Sequence, residues 1–198
     1  MPETISFYFD FVSPFSYLAH QRVPGLAQRF GYALDYRPID LRAAKLLAGN
    51  TGPATRDMPV KLAYARKDQQ RWAKRYGVPI KAPISHDWSR MTRGAFYAID
   101  RGQARPYVAH VWHHIWGQGG EMNDGVWRDA ARAMGWDAEA FAAFTEAPET
   151  VKRLEASTRE AGARGVFGVP TIMIGDEMWW GNDRLDFVEE FLTAPAKK

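Results

Sequence analysis

Three short stretches of the sequence put polar or charge-stabilising groups where a strand hands over to a helix or to another strand. In ISFYFDFVSPFSYLA, Ile5 to Ala19, an apolar run ends and Ser13-Pro14 opens a helical pattern. Ser13 fits an N-cap and Pro14 the first helical position, where its missing N–H costs nothing. The first N–H groups of a helix lack intrahelical partners and together carry roughly half a unit of positive charge, so an anion placed there is stabilised. The Ser13 hydroxyl either caps its own helix or points into a cleft beyond the strand ends. It is not read as a nucleophile, because that role needs an adjacent base and none of the histidines is placed to suggest one.

The second stretch is GVFGVPTIMI, with Val169-Pro170 where an apolar strand begins. A proline there cannot be a central ladder donor. It is either a plain strand-opening residue or a cis-proline that turns the Val169 backbone outward, free to pair with an extended peptide-like ligand. The third is WWGNDRL, where a strand through Trp180 and Gly181 meets a helix capped by Asn182 or Asp183. Capping is one use of these side chains. Holding an α-amino-acid head group is the other.

Those three mouths need a scaffold. The aromatic and β-branched run Ile5–Phe11 predicts a central strand buried on both faces. The following helix is expected to bend near Pro24 and to end at Gly31, and YALDYRPIDL supplies a second strand, giving strand, helix, strand with a right-handed crossover. From Met58 to Gly162 the pattern is helical, in MPVKLAYARKDQQRWAKRYG, SRMTRGAFYAIDRG, RPYVAHVWHHIWGQ, NDGVWRDAARAMG and DAEAFAAFTEA, mostly opened by Ser, Asn, Asp or Pro. Strands return at Thr171–Ile174 and Glu177–Trp180 around the turn pair Gly175-Asp176, followed by the helix DRLDFVEEFL. The expected fold is α/β of the βαβ…ββα kind with a large all-helical insertion: residues 1–57 and 163–198 form one domain, 58–162 the other.

Composition narrows the function classes. The 26 basic and 23 acidic residues leave a net charge of +3 with the signs interspersed, and the densest basic cluster, ARKDQQRWAKR, is broken by an acid on a helical segment, so no nucleic-acid partner is expected. With no cysteine, the chain has no disulfide, no Cys-liganded metal and no thiolate of its own. No apolar run approaches the ~20 residues of a membrane span and the N-terminus lacks a signal-peptide pattern, so no membrane partner and a soluble, cytoplasmic protein are expected. Disorder is expected only in the tail APAKK.

FYFDFVSPFSYLA, GNTGPATRDMPVKLAYARKDQQRWAKRYGVP, GVFGVPT and WWGNDRL, in this order and nearly end to end, resemble the 2-hydroxychromene-2-carboxylate isomerase family, which is close to kappa-class glutathione transferases and the DsbA-like thioredoxin-fold oxidoreductases. The resemblance implies a thioredoxin-like fold, a homodimer and glutathione as cofactor. The glutathione thiol would lie beside Ser13, its backbone along Val169 next to a cis Pro170, and its γ-glutamyl end near Trp180, Gly181, Asn182 and Asp183. It implies substrate contacts at Lys45, Thr55 and Arg56, with His86 of PISHDW as a further candidate; Asn often stands in the family where Thr55 does. The implied substrate is a small aromatic 2-oxo or hemiketal acid of aromatic-hydrocarbon catabolism, interconverted with trans-o-hydroxybenzylidenepyruvate. Residue chemistry agrees, since a hydroxyl donor at a helix N-terminus lowers the ~8.5 pKa of a free thiol. The alternatives are a kappa-type glutathione transferase or peroxidase and a non-catalytic thioredoxin-like binding module.

Other signals are set aside. His110 and His114 in HVWHHIW share a helical face at metal-binding spacing but lack a third ligand, and an aromatic packing face with polar histidines is expected instead of zinc. The loops GNTGP and GQGGE have neither the P-loop nor the dinucleotide pattern. Asp57 and Asp124 show no acid/base partner.

Overall fold

A computed structural model of the chain describes residues 3–194; residues 195–198 of the APAKK tail lie outside the described residues. Among the described residues four strands form one mixed sheet in the order β2-β1-β3-β4. β1 (Thr4–Phe9) pairs parallel with β2 (Ala33–Pro38) and antiparallel with β3 (Thr171–Ile174), which pairs antiparallel with β4 (Glu177–Trp180). β1 is therefore interior, as its apolar run predicts, though it stops at Phe9 rather than Phe11. The turn pair Gly175-Asp176 closes the hairpin, with Gly175 at φ 59°, a left-handed conformation that a glycine adopts without a Cβ clash.

Side-chain alternation along β1 and β3 builds two cores. Ile5, Phe7 and Phe9 join Ile172 and Ile174 on one face, while Tyr8 and Met173 turn to the other. The core on the first face takes in side chains of α1 (Pro14–His20), α2 (Val23–Phe30), α5 (Ser89–Ile99), α6 (Ala104–Trp112), α7 (Asp124–Met134), α8 (Ala138–Glu146) and α10 (Leu185–Thr193). The second is closed by α3 (Leu41–Leu47) and α9 (Pro148–Ala163), which contribute Ala44 and Ala161. α4 (Pro59–Tyr76) packs against α1.

The aromatic-rich composition goes into the joint between sheet and helices. Trp112 of α6 stands 5.2 Å from the ring of Phe9 and 5.1 Å from that of Phe11, all three fully buried. Burying one such side chain contributes roughly 2–3 kcal/mol, so this cluster is a main fastening of the helical layer.

Several local expectations are corrected. The helix after Ser13 does not bend near Pro24. It ends at His20, and a new helix starts at Val23 with Pro24 in its first turn, where proline is tolerated, before Gly31 closes it in a left-handed conformation at φ 74°. His114 does not continue the α-helical face of His110, because residues His113–Gly117 form a π-turn that changes the spacing. Neither Asn182 nor Asp183 caps the last helix: a 3-10 turn, Asn182–Arg184, intervenes and α10 starts without a side-chain cap. Among the described residues no helix is long and apolar enough to cross a membrane.

Candidate functional site

The Ser13 junction forms as the local sequence dictates. Ser13 is extended at φ −94°, ψ 113°, and its Oγ accepts the Ser16 N–H at 3.1 Å, a cap contributing about 1 kcal/mol. Because that bond occupies a lone pair toward the helix, the hydroxyl proton is left to point the other way. It is directed at the Val169 carbonyl, 3.5 Å off, the outer limit of a hydrogen bond. Ser13 is only 5% exposed. Its N–H donates to the Asp10 carbonyl at 3.1 Å, and the next turn is fixed by Tyr17, whose hydroxyl donates to the Pro79 carbonyl at 2.8 Å. From the helical layer, Trp116 Nε1 donates to the Phe11 carbonyl at 2.9 Å.

Facing Ser13 is the loop before β3. The Val169-Pro170 bond is cis, and the Thr171 hydroxyl donates to the Gly168 carbonyl at 2.8 Å. The Gly181 N–H donates to the Pro170 carbonyl at 2.9 Å, which ties the WWGNDRL mouth to the proline loop. Gly181 has φ 111°, a region only glycine adopts freely, and a Cβ there would collide with Asp183 Oδ1. Gly168 leaves room for the Trp180 indole, whose Nε1 would lie 2.8 Å from an added Cβ. The exposed rings of Trp180 and Phe167 lie 5.0 Å apart at this rim. Asn182 is buried, and among the described residues its Nδ2 has no hydrogen-bond partner.

Of the residues singled out in the sequence, the structure brings Ser13, Val169, Pro170 and Gly181 into one bonded group, with Trp180, Asn182 and Asp183 adjoining. Lys45 is half-buried on α3, and Thr55 and Arg56 lie on a 3-10 turn, Thr55–Asp57, packed against α4. Among the described residues Lys45, Thr55 and His86 make no side-chain hydrogen bond or ion pair, and Arg56 meets the neighbouring Asp57 at 3.8 Å. Among the described residues no hydrogen bond or ion pair joins these four to Ser13. His86 is exposed and lines an open depression of about 380 Å³ with Ser85, Asp87, Ser89, Arg90 and Met122, none of which belongs to the Ser13 group. The side chain of Asp124 lies outside the described residues.

The sequence reading passes over Asp10. Its carboxylate accepts from the N–H groups of Val12 and Leu41 and from the Thr92 hydroxyl, and burial pushes its pKa up to about 6. The signal available was a lone acid inside FYFDF, an otherwise apolar run. His110, His113, His114, Gln118 and Asp129 line a small cavity of about 160 Å³ with Met91, Val111, Val126 and Ala130, but among the described residues no group of three or more His, Cys, Asp or Glu is disposed to hold a metal.

A four-stranded sheet of this topology, with a capped serine opposed to a cis-proline, defines a DsbA-like thioredoxin domain, and the family model of that description matches residues 4–193. The chain is 44% identical over 186 residues, 93% of its length and 92% of the relative's, to a 2-hydroxychromene-2-carboxylate isomerase of Pseudomonas putida. A solved structure of 2-hydroxychromene-2-carboxylate isomerase superposes with a TM-score of 0.91 at 43% identity, covering 96% of this chain and 94% of the other. A more distant relative, glutathione S-transferase kappa 1 of Caenorhabditis elegans, is 24% identical over 96% of this chain and 91% of its own. The chain belongs to the 2-hydroxychromene-2-carboxylate isomerase family within the DsbA-like thioredoxin fold.

Proposed function

We propose that the protein is a glutathione-dependent isomerase that interconverts 2-hydroxychromene-2-carboxylate and trans-o-hydroxybenzylidenepyruvate. The observation that carries this reading is the Ser13 hydroxyl, with its lone pair engaged by Ser16 and its proton aimed across a narrow gap at the Val169 carbonyl. The names of the relatives support the reaction, and the kappa-class relative supports the cofactor.

Glutathione suits the residues present. A buried Asn182 amide with an unspent Nδ2 donor offers a partner for a carboxylate or carbonyl, and Asp183 at the same mouth offers a carboxylate to an ammonium group. In this reading Ser13, Val169, Pro170, Trp180, Gly181, Asn182 and Asp183 hold the tripeptide. When bound, it supplies a sulfur that adds reversibly to the unsaturated substrate and leaves again, so that the former double bond rotates without net redox change.

The chain's own groups do the rest. The Ser13 hydroxyl donates to an anionic sulfur in place of its long contact with Val169, which favours the ionised thiol. The ammonium of Lys45 and the guanidinium of Arg56 supply positive charge for the substrate carboxylate or a developing enolate, with Thr55 as a hydroxyl donor, and charge stabilisation of this kind is often the largest catalytic contribution. In the same reading His86 contacts substrate, residues 1–57 and 163–198 form the thioredoxin-like domain with 58–162 as the helical insertion, and the protein is a cytoplasmic homodimer.

The test is turnover of 2-hydroxychromene-2-carboxylate by protein rigorously freed of glutathione, with and without its restoration. Activity that returns with reduced glutathione, with the tripeptide recovered unmodified, supports the reading. Full activity without it overturns the reading, and a glutathione conjugate or disulfide as product redirects it to a kappa-type transferase or peroxidase.

A further inference from the structure

The turn that presents Ser13 is held by a carboxylate that has no part in the chemistry above. Asp10 Oδ1 accepts the Val12 N–H at 3.2 Å and the Thr92 hydroxyl at 3.2 Å, and its Oδ2 accepts the Leu41 N–H at 2.9 Å. These donors come from the turn itself, from α5 in the helical layer and from the first residue of α3, the helix that bears Lys45 one turn later. The main-chain carbonyl of the same residue receives the Ser13 N–H. Asp10 thus touches both halves of the site.

Every side-chain contact in that shell is a donor. A carboxylate accepts all three, whereas a protonated acid or an amide gives up acceptor strength toward the two main-chain N–H groups and keeps Thr92 only if that hydroxyl, which also lies 3.2 Å from the Trp88 carbonyl, reverses to accept. Burial opposes the charge, and Asp40, the acid that caps α3, opposes it further as a like charge, so the ionised form titrates at about 6. From α5 the facing group is the neutral Thr92 hydroxyl, and from the turn it is a main-chain amide. A group that costs stability when ionised, yet sits where two main-chain N–H groups and a hydroxyl converge from three elements, is explained by what it holds in place.

We propose that Asp10 is a positioning residue: its carboxylate ties the turn presenting Ser13 to the start of the Lys45 helix and to α5, so that protonating it weakens the hold on both halves of the site together. The proposal rests on the reading of Ser13 as the glutathione-side group and Lys45 as a substrate-side group. It makes the acid limb of activity a property of Asp10 rather than of the thiol or the substrate.

The experiment compares wild type, Asp10→Asn and Thr92→Val between about pH 5 and pH 8, reading kcat/KM with reduced glutathione and the amide NMR resonances of Val12 and Leu41. In wild type both amides titrate with a midpoint near 6 and kcat/KM falls with them. Thr92→Val removes a donor from the carboxylate, so both midpoints move upward together. Asp10→Asn abolishes the amide titration and the matching limb, and lowers kcat/KM at neutral pH by about tenfold or more. A merely structural role would lower activity without moving a midpoint. Amides that do not titrate, or a kcat/KM midpoint that Thr92→Val leaves in place, overturn the proposal. A wild-type protein that neither binds nor uses glutathione sinks the functional reading instead, and the amide titration still decides whether Asp10 holds the turn.

Discussion

Ser13 Oγ and the Val169 carbonyl oxygen stand 3.5 Å apart across the gap between the first helix and the proline loop, although the two residues are separated by 156 positions in sequence. A hydroxyl whose own acceptor site is filled by the Ser16 N–H has one use left for its proton, and a bond of that length spends it poorly. Replacing Ser13 by Ala removes the donor and the helix cap together. The expected result is a loss of about 1 kcal/mol in unfolding free energy and a tenfold to hundredfold drop in turnover at neutral pH, roughly the cost of one lost donor to a developing anion. The ultraviolet absorbance of bound thiolate, titrated in wild type and Ser13→Ala, checks the cause: the bound thiol's pKa rises in the variant.

Asn182 gives a cleaner separation of binding from stability. It is buried, and among the described residues its Nδ2 donates to nothing, so removing that donor loses no bond within them. Asn182→Asp keeps the volume and replaces the donor by an acceptor. Calorimetry with reduced glutathione should show affinity reduced about tenfold or more, as expected when a buried donor to a carboxylate becomes a like charge. Unchanged affinity would remove Asn182 from the proposed glutathione site.

Two buried titratable groups pull acid stability in opposite directions. His20 is buried with its Nε2 2.8 Å from the Tyr36 hydroxyl, and burial, aided by the charge of Arg105, pushes its pKa down to about 3. The unfolded chain binds that proton from about pH 6.5 downward while the folded protein refuses it, so stability falls with acid by roughly 5 kcal/mol on reaching pH 3. Asp10 has the reverse sign: with its folded pKa raised from 3.8 to about 6, the folded state binds the proton first and gains roughly 3 kcal/mol as pH falls through that window. Between pH 6 and 4 the two nearly cancel. Asp10→Asn removes the stabilising partner, so denaturant unfolding at successive pH values should show a steeper decline than wild type in that window, close to 1.4 kcal/mol per pH unit.

What the sequence made legible follows a physical rule. Ser13-Pro14, Gly31 and Gly175-Asp176 are decided within a few residues, by capping, by a missing N–H or by a left-handed backbone, and each stands where local chemistry puts it. The alternation of Phe7 and Phe9 against Tyr8 is equally local. The break at Gln21-Arg22 is not, and neither is the onset of the π-turn at His113, where Trp112 and His113 carry no mark of a change. Asp10 is the extreme case, because the partners that give it meaning lie 31 and 82 residues away. In sequence it is only an acid in an aromatic run. Only a family resemblance pointed to Lys45, Thr55, Arg56 and His86, and among the described residues no hydrogen bond or ion pair connects them to Ser13.

Two helical glycines allow the packing of the helical layer to be tested against its opposite. Gly25 lies on an exposed turn of α2 and a Cβ there would meet nothing within 4 Å. Gly94 lies in α5, two residues from Thr92, where a Cβ would stand 2.6 Å and 2.9 Å from ring atoms of Phe141 and would also strike the Tyr107 hydroxyl. Phe141 and Tyr107 are fully buried among aromatic neighbours, and Tyr107 donates to the Met91 carbonyl at 2.8 Å, so neither side chain has room to give way. Gly25→Ala should therefore stabilise by about 0.5–1 kcal/mol, from lower chain entropy in the unfolded state. Gly94→Ala should cost about 1–3 kcal/mol through overpacking, which for a chain of this size is a fall in Tm of several degrees. Calorimetric melting of both variants decides it: a Gly94→Ala protein that melts at or above the wild-type temperature would show that α5 is not wedged against α6 and α8 as closely as its contacts require.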